Sequence, residues 1–181
     1  MGGIQNFPDG GGYGRDLKGL YRRYYGSVVG FSGRGEQIPT DDCYCDIDPD
    51  KVDKWGIPVL RFHWKWSQHE VNQVKHMHET FAAIIDAMGG TLMWDRPGAD
   101  SDYGIAPGGR IIHELGCVRM GSDPKSSVLN RNSQAWDVKN LFCADGGPFV
   151  TQADKNPTWT ILALSMRTSE YILDQKRRGA L

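Results

Sequence analysis

The chain has 181 residues, a length typical of one domain or of one domain with a small addition. Its 21 Lys and Arg residues nearly balance its 22 Asp and Glu residues, so the net charge is −1 and neither nucleic acid nor an anionic membrane is expected as a partner. No apolar run is long enough to cross a bilayer, so we expect no membrane span. Met1 is not followed by the pattern of a signal peptide, and the compartment stays open between cytoplasm and periplasm.

The first sixteen residues are rich in glycine and invite comparison with a dinucleotide-binding loop. Gly10 and Gly12 would need a third glycine at position 15, which is Arg15, and no apolar strand precedes them. The sequence therefore predicts a flexible loop here and no phosphate-binding site.

Residues 41–53 are rich in aspartate, and alternate positions carry Asp as in the first half of a calcium loop. Lys51 stands where such a loop needs glycine, and no Glu follows, so a solvated turn is predicted. Cys43 and Cys45 are too close together for an ordinary zinc pair, and we expect buried or free thiols. We predict no metal site.

The clearest element is a helix that begins after Ser67 and continues through apolar positions spaced along residues 71–88. Ser67 and Glu70 have the spacing of a capping box, in which each side chain accepts a backbone amide of the other end. Residues 27–32 and 59–66 favour strands because aromatic and β-branched side chains recur in them. The second of these strands leads directly into the helix.

A long loop at 89–110 has little periodicity, and loops of this length are usually functional, so we expect it to border an active site. A short strand is predicted at 110–114, with His113 near its end. A second short strand is predicted at 138–144 and is broken sharply by Asp145-Gly-Gly-Pro. Such a strand end can present backbone amides and a carboxylate to a polar ligand.

Asn156-Pro157-Thr158 opens an apolar helix. Asn is a good N-cap, and proline suits the first helical position because its missing amide is not needed there. The free amides of a helix N-terminus favour an anionic ligand or developing negative charge. An ordinary core helix explains the same pattern, and the two interpretations are compatible.

Three motifs in this order and spacing resemble the C-terminal part of the glucose–methanol–choline (GMC) family of FAD-dependent oxidoreductases. The motifs are His113-x-x-Gly116-x-x-Arg119-Met120-Gly121-x-Asp123-Pro124, Asn140-Leu141-Phe142-x-Ala144-Asp145-Gly146 and Asn156-Pro157-Thr158-x-Thr160. The resemblance implies an α+β fold in two parts. Residues 1–117 would form part of the substrate-binding domain, an antiparallel sheet with flanking helices. Residues 118–181 would form the C-terminal strand–helix piece of a Rossmann-like FAD-binding domain.

The Gly-x-Gly-x-x-Gly unit with which the family grips the ADP part of FAD is absent from this sequence. The resemblance therefore implies that a missing N-terminal FAD-binding part, or a partner chain, completes the protein. The C-terminal helix would pack against that part, and alone it would expose apolar surface. We predict that this chain by itself does not hold FAD tightly.

The resemblance also implies residue roles. His113 falls on the catalytic histidine, which takes the hydroxyl proton of an alcohol while hydride leaves the carbon for flavin N5. Asn156 falls on the second active-site position, where it could bind the substrate oxygen but not act as base. The implied cofactor-binding residues are Asp145, Gly146, Asn156, Pro157 and Thr158.

A sugar is the preferred substrate, with Phe62, Trp64 and Trp66 as candidate stacking faces, although the same aromatics fit a core. Two other functions stay open for the chain as a whole. One is a non-catalytic interaction module of a split or degenerate GMC protein. The other is a flavin-containing lyase on the same scaffold.

Overall fold

A computed structural model describes residues 12–110 and 112–181 of the chain. The predicted glycine loop at the start of the chain lies largely outside the described residues. The regular elements are helix α1 (Arg15–Tyr24), strands β1 (Tyr44–Val52) and β2 (Pro58–His63), helix α2 (Gln68–Ala87), a 3₁₀ segment (Ala99–Gly104), strands β3 (Met120–Gly121) and β4 (Leu129–Asn130), and helix α3 (Thr158–Arg177). Helices and a small antiparallel sheet thus make up an α+β fold, as predicted.

The chain divides into two compact units, one of residues 1–33 and 72–105 and the other of residues 34–71 and 106–181. All the predicted site residues belong to the second unit. The predicted boundary at residue 117 concerns the domains of a complete enzyme and stays a prediction.

In the first unit the predicted strand at 27–32 is wrong, because Ser27 lies in a turn and residues 28–32 pair with no strand in the described part of the chain. A strand needs a partner to satisfy its backbone groups, and propensity alone does not supply one. Phe31 instead stacks on Phe81 of α2, with ring centroids 5.4 Å apart. The segment is therefore held by side-chain packing.

In the second unit β1 and β2 form an antiparallel hairpin in which Tyr44 pairs with His63 and Ile47 with Leu60. The solvated turn predicted for residues 41–53 is therefore wrong over most of its length. Pairing with β2 overrides the low strand propensity of aspartate, and the register shifts between Ile47 and Val52, where Pro49 interrupts the ladder. Arg61 binds Asp46 through two hydrogen bonds of 2.9 and 2.6 Å. This pairing holds the pKa of Asp46 below its ordinary value.

Helix α2 confirms the predicted helix, and its capping box forms at Ser67 and Glu70. The Glu70 carboxylate accepts the amide of Ser67 at 2.7 Å, while the Ser67 hydroxyl accepts the amide of His69 at 3.1 Å. The hydroxyl thus accepts the amide of the second helical residue, whereas a capping box predicts that it accepts the amide of the third. Glu70 also accepts the amide of Ile38 at 3.3 Å, so the cap ties the preceding chain to the helix.

The predicted strand at 138–144 is wrong, since this stretch holds only an isolated bridge between Phe142 and Gln134. Loop hydrogen bonds organise it instead, such as the Gln134 side chain donating to the Lys139 carbonyl at 2.6 Å. Helix α3 lies against this region: Arg167 donates to the Arg131 carbonyl at 2.6 Å. The helix of the predicted strand–helix piece is therefore present, and its Rossmann-like setting stays a prediction.

The fully buried apolar core is thin. Among the described residues only Leu20, Leu129 and Ala135 are buried hydrophobic residues. Many large apolar side chains face solvent, including a stripe along α3 whose members are Trp159 at 84%, Leu162 at 56%, Met166 at 66% and Leu173 at 54% exposure. Large exposed apolar side chains along one face of a helix are typical of an interface. The expectation that further protein covers α3 stays a prediction.

Candidate active site

The residues after His113 run beside the turn that begins at Asp145, and three backbone hydrogen bonds join the two segments. The amides of Gly116, Val118 and Met120 donate to the carbonyls of Gly146, Gly147 and Pro148 at 3.1, 3.2 and 3.0 Å. These bonds form an irregular ladder, because the donors alternate along the chain while the acceptors are consecutive. Two sequence motifs separated by some thirty residues thereby become one local structure.

Gly146 is the point at which this ladder meets helix α3. A Cβ atom built on Gly146 would collide with the Leu115 side chain and would lie 3.5 Å from Cδ1 of Ile161. The glycine lets Leu115 and the first turn of α3 pack closely on it, and a methyl group there would force the Leu115 side chain to move. The segment that carries His113 and the helix that follows Asn156 are fixed to the same buried residue.

The Asp145 side chain faces solvent and is held by its own turn. One oxygen, Oδ1, accepts the Cys143 thiol at 3.0 Å and the Gly147 amide at 2.7 Å. The thiol and then the amide hold the pKa of Asp145 below its ordinary value, so the carboxyl is ionised at neutral pH. Its second oxygen has no partner among the described residues, which leaves one acceptor directed outward.

Two thiols lie near this carboxylate. Burial, followed by the Asp145 hydrogen bond, raises the pKa of Cys143. Burial also raises the pKa of Cys117, with smaller contributions from Cys45 and Asp145. Both thiols are therefore neutral at physiological pH and serve as weak donors rather than nucleophiles. The expectation of free thiols is confirmed, since all four cysteines are unpaired.

His113 has an unusual backbone. Its φ is +85°, in the left-handed region that favours glycine, and it lies outside regular structure. The strand predicted at 110–114 is absent from the described residues 112–114, and residue 111 lies outside them. The imidazole is half-buried, and within the described part of the chain neither ring nitrogen makes a hydrogen bond. Both nitrogens are thus open to a further group.

The N-terminus of α3 is also open. Asn156 is exposed, Pro157 is buried, and Pro157 occupies the cap position with a helical φ of −85°. No side chain caps the helix, so Asn156 does not act as the predicted N-cap. The first hydrogen bond of the helix runs from the Ile161 amide to the Pro157 carbonyl at 2.9 Å. The preceding amides of the exposed first turn, which includes Thr158, stay available to an external acceptor.

Phe62, Trp64 and Trp66, the predicted stacking faces, have different surroundings. Phe62 is largely exposed on the hairpin. Trp64 packs on Gly108, and the Trp66 indole N–H donates to the Ala106 carbonyl at 3.2 Å. The packing interpretation therefore holds for the two tryptophans, and Phe62 alone keeps a broad free face.

Neither a metal site nor a membrane helix emerges from residues 12–110 and 112–181. No three His, Cys, Asp or Glu side chains in this part of the chain lie close enough to hold a metal ion. None of the described helices combines the length and the apolar character needed to cross a bilayer.

Comparison with known proteins places this arrangement in a family. The family model for the C-terminal region of GMC oxidoreductases matches residues 39–165, a range that contains the ladder, His113 and the start of α3. The chain therefore belongs to the GMC oxidoreductase family.

Three characterised relatives illustrate its range. The chain is 29% identical over 160 residues to a 2-methyl-1,2-propanediol dehydrogenase of Mycolicibacterium austroafricanum, covering 88% of this chain and 28% of that protein. It is 30% identical over 154 residues to a C-glycoside 3-oxidase of Microbacterium trichothecenolyticum, covering 83% and 28%. It is 26% identical over 166 residues to a gluconate 2-dehydrogenase flavoprotein of Pantoea cypripedii, covering 90% and 26%. The chain thus spans about a quarter of the length of these relatives.

Sequence patterns missed two features of the site. The left-handed backbone of His113 was missed because histidine, although found at positive φ more often than most residues, adopts it too seldom for the sequence alone to predict it. The bond from Trp66 to Ala106 joins residues 40 positions apart, beyond the reach of any periodicity. The Pro107-Gly108-Gly109 signal in the sequence could have located the turn, but it could not have shown that Trp64 and Trp66 contact residues 106–108.

Proposed function

We propose that this chain forms part of an FAD-dependent enzyme that oxidises a CH–OH group of a sugar or other alcohol, with His113 as the base. The observation that carries the proposal is the φ of +85° at His113. Strained backbone persists where the surrounding structure holds it, and such positions cluster at functional sites. A histidine at a backbone position that suits glycine better favours a functional role for the imidazole.

The open imidazole fits the work of a base. A neutral ring nitrogen without a protein partner can accept the hydroxyl proton of a bound alcohol. The backbone ladder from Gly116 to Gly146 would keep the ring in place during that transfer. Asn156, exposed beside the first turn of α3, would donate its amide N–H to the same substrate oxygen and hold it for deprotonation.

The residues around α3 fit FAD. The uncapped amides of its first turn, which includes Thr158 after the buried Pro157, are suited to the pyrimidine edge of a flavin, where negative charge develops on reduction. The free oxygen of Asp145 and the backbone of Gly146 are suited to the hydroxyl groups of the ribityl–pyrophosphate region. FAD would supply the two-electron acceptor, taking hydride from the substrate carbon at N5.

The names of the relatives support a sugar or a polyol as the substrate. Beside those above, the chain resembles a pyranose 2-oxidase of Lyophyllum shimeji and the fructose dehydrogenase large subunit of Gluconobacter japonicus, at 26% and 27% identity. A dehydrogenase of 2-methyl-1,2-propanediol extends the range to simple diols. A sugar is therefore our first choice and a smaller polyol our second.

The exposed stripe of α3 indicates where the rest of the enzyme docks. We propose that the FAD-binding part, on the same polypeptide or on a partner chain, covers this stripe and supplies most of the grip on the cofactor. The isolated chain should accordingly purify without bound flavin. Stoichiometric flavin in the isolated chain would contradict this division of labour.

Anaerobic bleaching of flavin absorbance tests the proposed activity. The flavin-loaded enzyme is mixed without oxygen with D-gluconate, D-fructose, D-glucose or 2-methyl-1,2-propanediol. We expect at least one of these to bleach the flavin in an amount stoichiometric with product. A flavin that stays oxidised while product forms would indicate the lyase, and absence of both bleaching and product would favour the non-catalytic module.

A further inference from the structure

Two tryptophans hold the segment that leads to His113. The Trp66 indole N–H donates to the Ala106 carbonyl at 3.2 Å, in a part-buried position. The Trp64 ring lies on Gly108 so closely that a Cβ there would be 2.7 Å from Cε3. The two indoles also contact each other edge to face, with centroids 4.2 Å apart and planes at 76°. Backbone and rings therefore interlock over residues 106–108.

The interlocked segment continues as a tight turn. The Arg110 amide donates to the Pro107 carbonyl at 3.2 Å, and Gly109 has a φ of +74°. A left-handed residue at the third position of a four-residue turn is the mark of a type II turn, which needs glycine there. The turn ends at Arg110, three positions before His113, so the segment that the two tryptophans hold lies close to the candidate site in sequence.

His113 needs restraint from both sides. Its left-handed backbone is a high-energy conformation that relaxes unless neighbouring structure prevents it. Downstream, the restraint is the ladder that starts with the Gly116 amide on the Gly146 carbonyl at 3.1 Å. Upstream, among residues 12–110 and 112–181, the nearest hydrogen bond from a side chain distant in sequence is that of Trp66 to Ala106.

We propose that Trp66 is a positioning residue for His113, acting through its hydrogen bond to the Ala106 carbonyl. This inference rests on the proposed role of His113 as base. Trp66 contacts neither substrate nor cofactor in this account. Its indole fixes the entry to the site, and thereby the placement of the imidazole.

The expected effect follows from the geometry of proton transfer. Removing the indole N–H leaves a part-buried carbonyl without its partner, so the 106–110 segment gains freedom to shift. A displacement of about 1 Å at a reacting group can cost about 100-fold in rate. Since the ladder still holds the downstream side, we expect a smaller loss of about 10-fold.

Two substitutions separate the hydrogen bond from the packing. Trp66→Phe keeps an aromatic ring but has no donor. Trp66→His places Nε2–H where the indole Nε1–H stood, because the imidazole overlays the five-membered part of the indole. Trp55→Phe, at an exposed tryptophan of the hairpin turn, is the matched control.

The measurement is the stopped-flow rate of anaerobic flavin reduction in the flavin-loaded enzyme, at several concentrations of whichever probe sugar or diol bleaches it. For Trp66→Phe we expect the limiting rate to fall about 10-fold with the half-saturating concentration and flavin content within about twofold of wild type. Trp66→His should recover most of the loss, and Trp55→Phe should match wild type.

The outcomes distinguish this inference from the proposed function. Wild-type reduction in His113→Ala would overturn the base assignment, and this inference with it. A dead His113→Ala beside an undiminished Trp66→Phe would overturn the positioning role alone. Equal losses in Trp66→Phe and Trp66→His, or a change confined to the half-saturating concentration, would likewise refute it.

A second measurement covers variants that fail to fold. In the wild-type chain, NMR hydrogen exchange should show the Trp66 indole proton protected relative to that of exposed Trp55. Equally fast exchange of the two protons would contradict the hydrogen bond on which the proposal depends.

Discussion

Replacing His113 by glycine should stabilise the protein while removing its activity. The backbone φ of +85° at this position disfavours any side chain with a Cβ atom. Strain of this kind costs about 1–3 kcal/mol, and relief by glycine is offset by about 0.4–1 kcal/mol because glycine gives the unfolded chain more freedom. The net expectation is a gain of about 1 kcal/mol in the free energy of unfolding.

His113→Ala is the matched control, because alanine removes the imidazole but keeps the Cβ atom and its conflict with the backbone. Urea unfolding followed by far-ultraviolet circular dichroism gives the free energies of unfolding of the wild type and both variants, analysed with one common dependence on urea concentration. We expect the order Gly above Ala, with Ala within about 0.5 kcal/mol of wild type. Equal stability of the Gly and Ala variants would refute the claim that His113 is strained.

Three further predictions concern the surroundings of the site. Gly146→Ala should destabilise the fold by about 1–3 kcal/mol because its methyl group would press on Leu115, and chemical denaturation would show the loss. Asp145→Asn should lower the free energy of unfolding by about 1 kcal/mol at neutral pH, a value already reduced because the carboxylate is exposed. Because the pKa of Asp145 is lower in the folded protein, the greater stability of the wild type holds above the unfolded pKa of about 3.9 and disappears as pH falls through the folded pKa. Urea unfolding at a series of pH values would show this loss. Met166→Lys on the exposed stripe should leave the isolated chain within about 0.5 kcal/mol of wild type yet weaken the complete enzyme in thermal melts. Met88→Lys, at a similarly exposed methionine that follows α2, should destabilise neither the isolated chain nor the complete enzyme.

Local chemistry made parts of the fold predictable. The capping box at Ser67 and Glu70 was evident because its partners stand three positions apart on one helix turn. The apolar period of α2 is likewise a signal contained within a few residues, and Asn-Pro marked where α3 begins although Asn156 does not cap it. The α+β class was implied by the resemblance of the motifs to the GMC family, and these helices and the strand before α2 agree with it.

Other parts depend on partners distant in sequence. Strand β1 was hidden in an aspartate-rich stretch, and only its pairing with β2, including Arg61 on Asp46, makes it extended. The stretch at 27–32 has strand propensity but no partner strand among the described residues.

The site itself shows the same division. Motif spacing singled out His113 and Asn156, whereas the shared packing of Leu115 and Ile161 on Gly146 became visible only in three dimensions. The hydrogen bond from Trp66 across 40 residues had no signal in the sequence. Spacing therefore located the candidate residues, and tertiary contacts explain how they are held.

The most direct test of the account is anaerobic flavin reduction by substrate in the flavin-loaded enzyme carrying His113→Ala. If His113 is the base, the variant should bind flavin as wild type does, yet its reduction rate should fall by about 100- to 10,000-fold, the range that general base catalysis contributes. Reduction at the wild-type rate, with flavin fully bound, would contradict the central claim that this strained histidine takes the substrate proton.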